Sequence, residues 1–207
     1  MPHIPTATTK EAGVLSFEEA LRPSADALPY DRDRWLYVPD AYAEYRYVLG
    51  TRGNHPLIAV GINPSTAAPD ALDNTLKSVE RIALANGYDS FLMFNVYAQR
   101  ATYPGDMEKI CNSFLHRENM KAFEYLLTLA GEHPPVWAAW GTILMQRPYL
   151  VPCVREMIGI GRARGARWFT CGARSKNGGH PHHPLYLKRD ARLDEFDVAA
   201  YADSLGS

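Results

Sequence analysis

Apolar positions along this chain follow two rhythms that alternate from residue 57 onward. Short apolar-rich runs occur at Leu57-Ile58-Ala59-Val60, Phe91 to Val96, Val136 to Trp140 and Ala166 to Cys171. Between them lie longer stretches with apolar residues at helical spacing. Asp73 to Ala85 carries Leu76, Val79, Ile82 and Ala83 and stops at Asn86-Gly87, while Asn112 to Ala130 carries Phe114, Leu115, Phe123, Leu126 and Leu127. Met145 to Arg162 reads as helical in part, interrupted near Pro148 and Pro152 and closed by Gly165. An unbroken apolar run suits a strand buried on both faces, and a 3.6-residue period suits a helix packed along one stripe. Alternation of the two predicts an α/β fold with a mostly parallel sheet of four to five strands and helices on both faces.

Tyr45-Arg46-Tyr47-Val48-Leu49 alternates in the manner of an edge strand, and Ser16 to Leu21 suits one short helix. The expected organisation is an N-terminal extension over residues 1–44, one α/β domain over 45–190 and a C-terminal tail over 191–207. Right-handed crossovers put the loops that follow parallel strands at one sheet edge, where open α/β sheets bind their ligands. Four polar segments mark such loops: Gly61-Ile62-Asn63-Pro64-Ser65-Thr66, Phe94-Asn95-Val96-Tyr97, Ala139-Trp140-Gly141-Thr142 and His183-Pro184-Leu185-Tyr186.

Composition narrows the classes without choosing among them. Hydrophobic residues at 46% and aromatics at 11% of 207 residues suffice for a full core. A formal net charge of −1 argues against tight non-specific duplex binding, which needs a strongly basic surface. The three cysteines stand singly, so cysteine-held zinc or iron–sulfur centres are not expected. His180, His182 and His183 cluster, but stiff prolines at 181 and 184 and the lack of a nearby carboxylate speak against a metal. No metal and no cofactor are therefore expected. No signal-peptide core and no run near the roughly 20 apolar residues of a membrane span appear, which predicts a soluble cytoplasmic protein without a membrane partner.

The ordered motifs carry a resemblance. Asn63-Pro64-Ser65-Thr66, Asn95 through Arg100-Ala101-Thr102, Trp140-Gly141 and His183-Pro184-Leu185-Tyr186-Leu187 together resemble the uncharacterised bacterial and phage family called domain of unknown function 1643. This likeness runs from about Tyr45 to Leu187. More distantly, Gly61-Ile62-Asn63-Pro64 is similar to the first motif of mismatch-specific uracil/thymine–DNA glycosylases. Phe91 to Val96 resembles the uracil–DNA glycosylase strand that ends in a base-reading asparagine, and His183-Pro184-Leu185 resembles the final histidine-proline loop. The likeness implies a three-layer α/β/α fold of the uracil–DNA glycosylase type and a nucleobase, nucleotide or nucleic-acid substrate.

It also implies roles. Base removal passes through an oxocarbenium-like sugar and a departing base that gathers negative charge, so the site must steady both and supply water. Asn63, held by Pro64, would place the water; its alternative is to close a strand–loop turn. Asn95 would read a pyrimidine edge with two hydrogen bonds, or else tie neighbouring loops together. His183 would stabilise the leaving base, with His180-Pro181 a competing match to the same motif. Gly61, Ile62, Ser65, Thr66, Phe94, Trp140, Gly141 and Tyr186 complete the expected substrate-binding set. Arg100 either clamps a phosphate or pairs with Asp73 or Asp106. Asp70, Asp73 and Asn74 serve either as a second water- or sugar-binding group or as helix caps. The pattern departs from the glycosylases in three respects: no acidic residue in Gly61–Thr66, no serine beside the histidine loop's proline, and no hydrophobic wedge for extruding a base. The leading expectation is N-glycosidic bond hydrolysis. The alternatives are a non-catalytic nucleotide or modified-base binding protein and a DNA base-modifying enzyme.

Overall fold

The computed structural model describes residues 1–205, with the Tyr186 side chain outside the described set. Its strands are β1 (Trp35–Val38), β2 (Val48–Thr51), β3 (Pro56–Gly61), β4 (Ser90–Asn95), β5 (Pro135–Ala138), β6 (Arg167–Cys171) and β7 (Leu193–Glu195). Its α-helices are α1 (Phe17–Ala20), α2 (Asn74–Ala85), α3 (Ser113–Leu129), α4 (Leu150–Ala163) and α5 (Val198–Ser204). The sheet order is β1-β2-β4-β3-β5-β6-β7. The fold is thus α/β with a mixed sheet of seven strands, which corrects the expected four to five.

The error has a local cause. The four central strands β4, β3, β5 and β6 are mutually parallel and correspond to the apolar runs. Three further strands join antiparallel: β2 beside β4, β1 beside β2, and β7 beside β6. β1 and β7 are only four and three residues long, too short to display a period. β1 also covers β2, so the Tyr45–Leu49 segment is no edge. Only its last two residues enter β2, and Tyr45, Arg46 and Tyr47 are all buried.

The helices end where their sequences say they should. Asp73 caps α2, its Oδ1 accepting from the Leu76 N–H at 2.9 Å, and Gly87 beyond the far end takes a φ of +86°. Asn112 caps α3 through Phe114 and Leu115, and Ser16 with Glu19 forms a capping box on α1. Pro152 falls in the first turn of α4, where a missing N–H costs nothing.

Alternation along β3 and β4 divides the core between the two sheet faces. Ile58, Val60, Leu92 and Phe94 pack with residues of α3, α4 and α5 on one face. Leu57, Ala59, Phe91 and Met93 pack with Leu76, Val79, Ile82 and Ala83 of α2 on the other. The β3–β4 crossover therefore runs over one face, and the β4–β5 and β5–β6 crossovers over the opposite one. β4 and β5 flank β3 on opposite sides, so the chain leaves β3 and β5 toward different faces. Such a divergence opens a crevice at the carboxyl ends of the strands.

Candidate active site at the carboxyl edge of the sheet

Parallel register fixes which residues meet at this edge. Gly61 lies opposite Asn95 at the ends of β3 and β4, and Val60 lies opposite Ala138 at the end of β5. The loops continue the ladder: the Val96 N–H donates to the Gly61 carbonyl at 2.9 Å, the Tyr97 N–H to Ile62 at 2.9 Å and the Ala139 N–H to Val60 at 2.9 Å. The histidine loop closes over the same edge. A Cβ placed on Gly141, whose φ is +63°, would stand 3.6 Å from the His183 Cβ. Ser78 of α2 donates to the Pro184 carbonyl at 2.9 Å, fastening that loop to the α2 face.

Asn95 occupies the centre of this arrangement. It is 1% exposed, and neither its Nδ2 nor its Oδ1 has a hydrogen-bond partner. Its own carbonyl is satisfied, accepting from Asn119 Nδ2 on α3 at 2.9 Å. Strand alternation turns the side chain, like that of Met93, toward the α2 face. There Gly61 makes room for it, since a Cβ at Gly61 would come within 2.9 Å of Asn95 Nδ2 and 2.6 Å of Met93 Cε. A buried primary amide left unpaired costs about 1–3 kcal/mol. A group left so unsatisfied calls for an explanation, and a ligand at this strand end would supply one.

Asn63 is half-buried and partly committed. Its Nδ2 donates to the Ala101 carbonyl at 2.7 Å and to the Pro64 carbonyl at 3.1 Å, locking the β3 loop to the β4 loop. Both partners are carbonyls, so the amide orientation is determined and Oδ1 is the remaining acceptor. Ser65 Oγ sits 3.1 Å from Thr102 Oγ1, extending the same seam. Thr66 and Ile62 belong to this loop, with Thr66 half-buried and Ile62 packed into the α3-side core.

The two candidate histidines separate by environment. His180 Nδ1 lies 2.8 Å from the Tyr201 hydroxyl, which accepts from Trp140 Nε1 at 2.9 Å. The tyrosine hydroxyl bridges the indole and the imidazole, joining Trp140, Tyr201 and His180 in one hydrogen-bonded chain. His180 and Trp140 are thus buried anchors that tie the histidine loop to α5. His183 sits in a different setting, beside Gly141. Its Nδ1 accepts from the Leu185 N–H at 3.3 Å, which assigns the proton of the neutral ring to Nε2 as a donor. Burial first, and then the neighbouring His182, hold its pKa below 6.5, with Asp73 acting in the opposite sense. Burial likewise lowers that of His180.

Arg100 is fully buried, and among the described residues it forms no ion pair with Asp73 or Asp106. Its guanidinium donates to the carbonyls of Ser65 and Ala67 and to the Tyr37 hydroxyl. Phe94 is fully buried in the α3-side core, its ring tilted against that of Phe123 with centroids 5.0 Å apart. Asp73 is a helix cap, and Asp70 accepts from Trp35 Nε1 at 3.1 Å. The backbone of Tyr186 ends the short turn Pro184–Tyr186, while its side chain lies outside the described residues.

Three participants escaped sequence reading. Arg46 sits inside a tyrosine-rich alternation that reads as a strand, yet a charge between two buried tyrosines is a signal in hindsight. Tyr201 and Asn119 carry none, because each is an ordinary helix residue until the fold puts it against the site.

Among the described residues no three or more His, Cys, Asp or Glu side chains gather into a metal-binding group, and no helix is long and apolar enough to cross a membrane. A cavity of about 920 Å³ opens elsewhere, between Thr8–Val14 and Glu108–Phe114, and another of about 400 Å³ lies between Thr170 and the segment Asp194–Asp197. Neither includes Asn63, Asn95 or His183. No curated protein and no solved structure matches the chain. A family model described as "Protein of unknown function (DUF1643)" matches residues 46–185, a span that contains every motif assembled at this edge except Tyr186. The chain belongs to the DUF1643 family.

Proposed function

We propose that this is a uracil–DNA glycosylase-like protein that hydrolyses an N-glycosidic bond in a nucleobase-bearing substrate. The observation that carries the reading is the unpaired, buried Asn95 amide at the carboxyl end of a central parallel strand, with Gly61 clearing space beside it. A primary amide presents N–H donors and a carbonyl acceptor side by side in one plane, the complement of a pyrimidine's carbonyl and N–H edge. Helices on both faces and the divergence between β3 and β5 support the three-layer arrangement of those enzymes. Asn63 Oδ1 then holds a water for attack on the anomeric carbon. The C–N bond breaks and its electron pair leaves with the base as the water oxygen bonds to the anomeric carbon. The His183 Nε2–H donates a hydrogen bond to the oxyanion that forms, and the proton shed by the water neutralises the departing base. A neutral imidazole suffices for this, and the lowered pKa of His183 favours that form near neutrality.

The second reading, a binding protein without catalysis, draws on Asn63. Both hydrogens of its amide already serve the loop seam, leaving one acceptor to orient a water. The two readings part in one experiment. Incubation with uracil-, hypoxanthine- and mismatch-containing single and double strands should release free base, and Asn63→Ala should abolish release while leaving base binding in place. Binding with no release from any of these substrates would sink hydrolysis and leave the binding protein.

A further inference from the structure

Two guanidinium groups lie buried side by side on the α2 face, and among the described residues neither forms an ion pair, although Asp73 lies near enough to favour the charged form of Arg46. Arg46 is 1% exposed and Arg100 is 0% exposed. Their Nη1 atoms share one acceptor, the Ala67 carbonyl, at 2.9 Å for Arg46 and 3.3 Å for Arg100. Arg100 adds the Ser65 carbonyl and, at 2.8 Å, the Tyr37 hydroxyl. Among the described residues no carboxylate forms an ion pair with either, and the Nε of each is buried without a partner. Two like charges desolvated together is a costly arrangement, since buried cations are ordinarily paired. Clamping the Ser65 and Ala67 carbonyls does not explain it, because a neutral donor would do that without burying charge.

We propose that Arg46 and Arg100 form an anion site that takes a phosphoryl group of the ligand. Guanidinium donors in a pair match the several acceptor oxygens of a phosphate, and an anion between them cancels the repulsion that the apo arrangement carries. Burial, followed by the neighbouring charge of Arg100, brings Arg46 down to about 9, so it remains a cation at neutral pH. The site adjoins the proposed base pocket: Arg100 precedes Ala101, whose carbonyl receives Asn63, and Ser65 and Ala67 belong to the loop that follows Asn63. A route in is visible. The Tyr42 ring covers Arg100 with its centroid 4.3 Å from Cζ, and Tyr42 is 45% exposed. Among the described residues its hydroxyl is held by one hydrogen bond, 3.2 Å from His3 Nδ1. The link from this anion to a substrate rests on the base-binding reading of Asn95, whereas the anion site itself does not.

The test is thermal unfolding and calorimetric titration of the full chain with inorganic phosphate against chloride at matched ionic strength. Phosphate should raise the melting temperature of the wild type, as any ligand of the native state does. Arg46→Met and Arg100→Met, which keep most of the volume, should each weaken phosphate binding by about 10- to 100-fold. Should both variants fail to fold, Tyr42→Ala carries the test, and stripping the ring should raise phosphate affinity about 2- to 5-fold. Equal melting in phosphate and chloride, or a phosphate effect that survives both arginine variants, overturns the site. A nucleoside 5′-monophosphate and a short single-stranded oligonucleotide then separate the sources. Tighter binding of either than of inorganic phosphate, lost in Asn95→Leu, assigns the anion to that ligand. Phosphate bound as tightly as both leaves the anion site standing and removes its connection to a base.

Discussion

Gly61 and Asn95 face one another across the β3–β4 ladder, and the space a side chain at Gly61 would occupy is the space in which the Asn95 amide lies. The backbone of Gly61 needs no unusual φ, so the requirement is steric. Gly61→Ala should push Met93 Cε and Asn95 Nδ2 from contacts of 2.6 and 2.9 Å. The expected outcome is a loss of about 1–3 kcal/mol in chemical denaturation together with loss of ligand binding. A fully stable alanine variant that still binds would mean the amide has another place to go.

Asn95→Leu should separate stability from function. It replaces a desolvated amide that has no partner by an apolar group of similar size, which is neutral or stabilising by about 1–2 kcal/mol. Activity should disappear. Equilibrium unfolding in urea decides the matter, and a large destabilisation would show that the amide is satisfied in solution by a group such as an internal water.

Asn63→Asp should behave in the opposite way. A carboxylate would face the Ala101 and Pro64 carbonyls now bonded at 2.7 and 3.1 Å, exchanging two attractions for two repulsions. Stability should fall by about 1–3 kcal/mol at neutral pH and recover as the carboxyl protonates in acid. Urea midpoints at pH 7 and pH 4 check this.

The histidine loop gives a pH signature. Burial holds His180 and His183 below 6.5 in the folded protein, so the unfolded chain binds more protons once the pH drops past about 6.5. Stability from these groups is thus fully present above pH 6.5 and is lost as the pH falls toward the folded-state values. The slope is at most about 1.4 kcal/mol per pH unit for each histidine. His183→Asn should flatten unfolding free energy against pH in that window. An unchanged slope would indicate that His183 titrates normally.

Most of the frame was legible because it is written in long periodic segments. Leu57–Val60 and Phe91–Val96 could be little else than buried strands, and Asp73 announces α2 just as Asn86-Gly87 closes it. β1 and β7 were illegible because three or four residues hold no period and their pairing is decided by neighbours far away in sequence. The site divides in the same way. Asn63, Asn95 and His183 stand out as polar groups after strands or between prolines. Arg46 is hidden in an alternating tyrosine segment, and the anchoring of His180 depends on Tyr201, part of a segment expected to be a tail. Choosing between His180 and His183 was therefore open until the fold put α5 beneath one of them.

The Asn95 side chain can be observed directly. Nuclear magnetic resonance of protein labelled with ¹⁵N in asparagine would follow the Asn95 side-chain amide, assigned by its absence in Asn95→Leu, during titration with free pyrimidine bases and nucleoside monophosphates. A new hydrogen bond to a base should move the Asn95 NH₂ protons downfield with saturation, while amides remote from the crevice stay still. An Asn95 signal unmoved by every base, at concentrations where other resonances respond, would contradict the account.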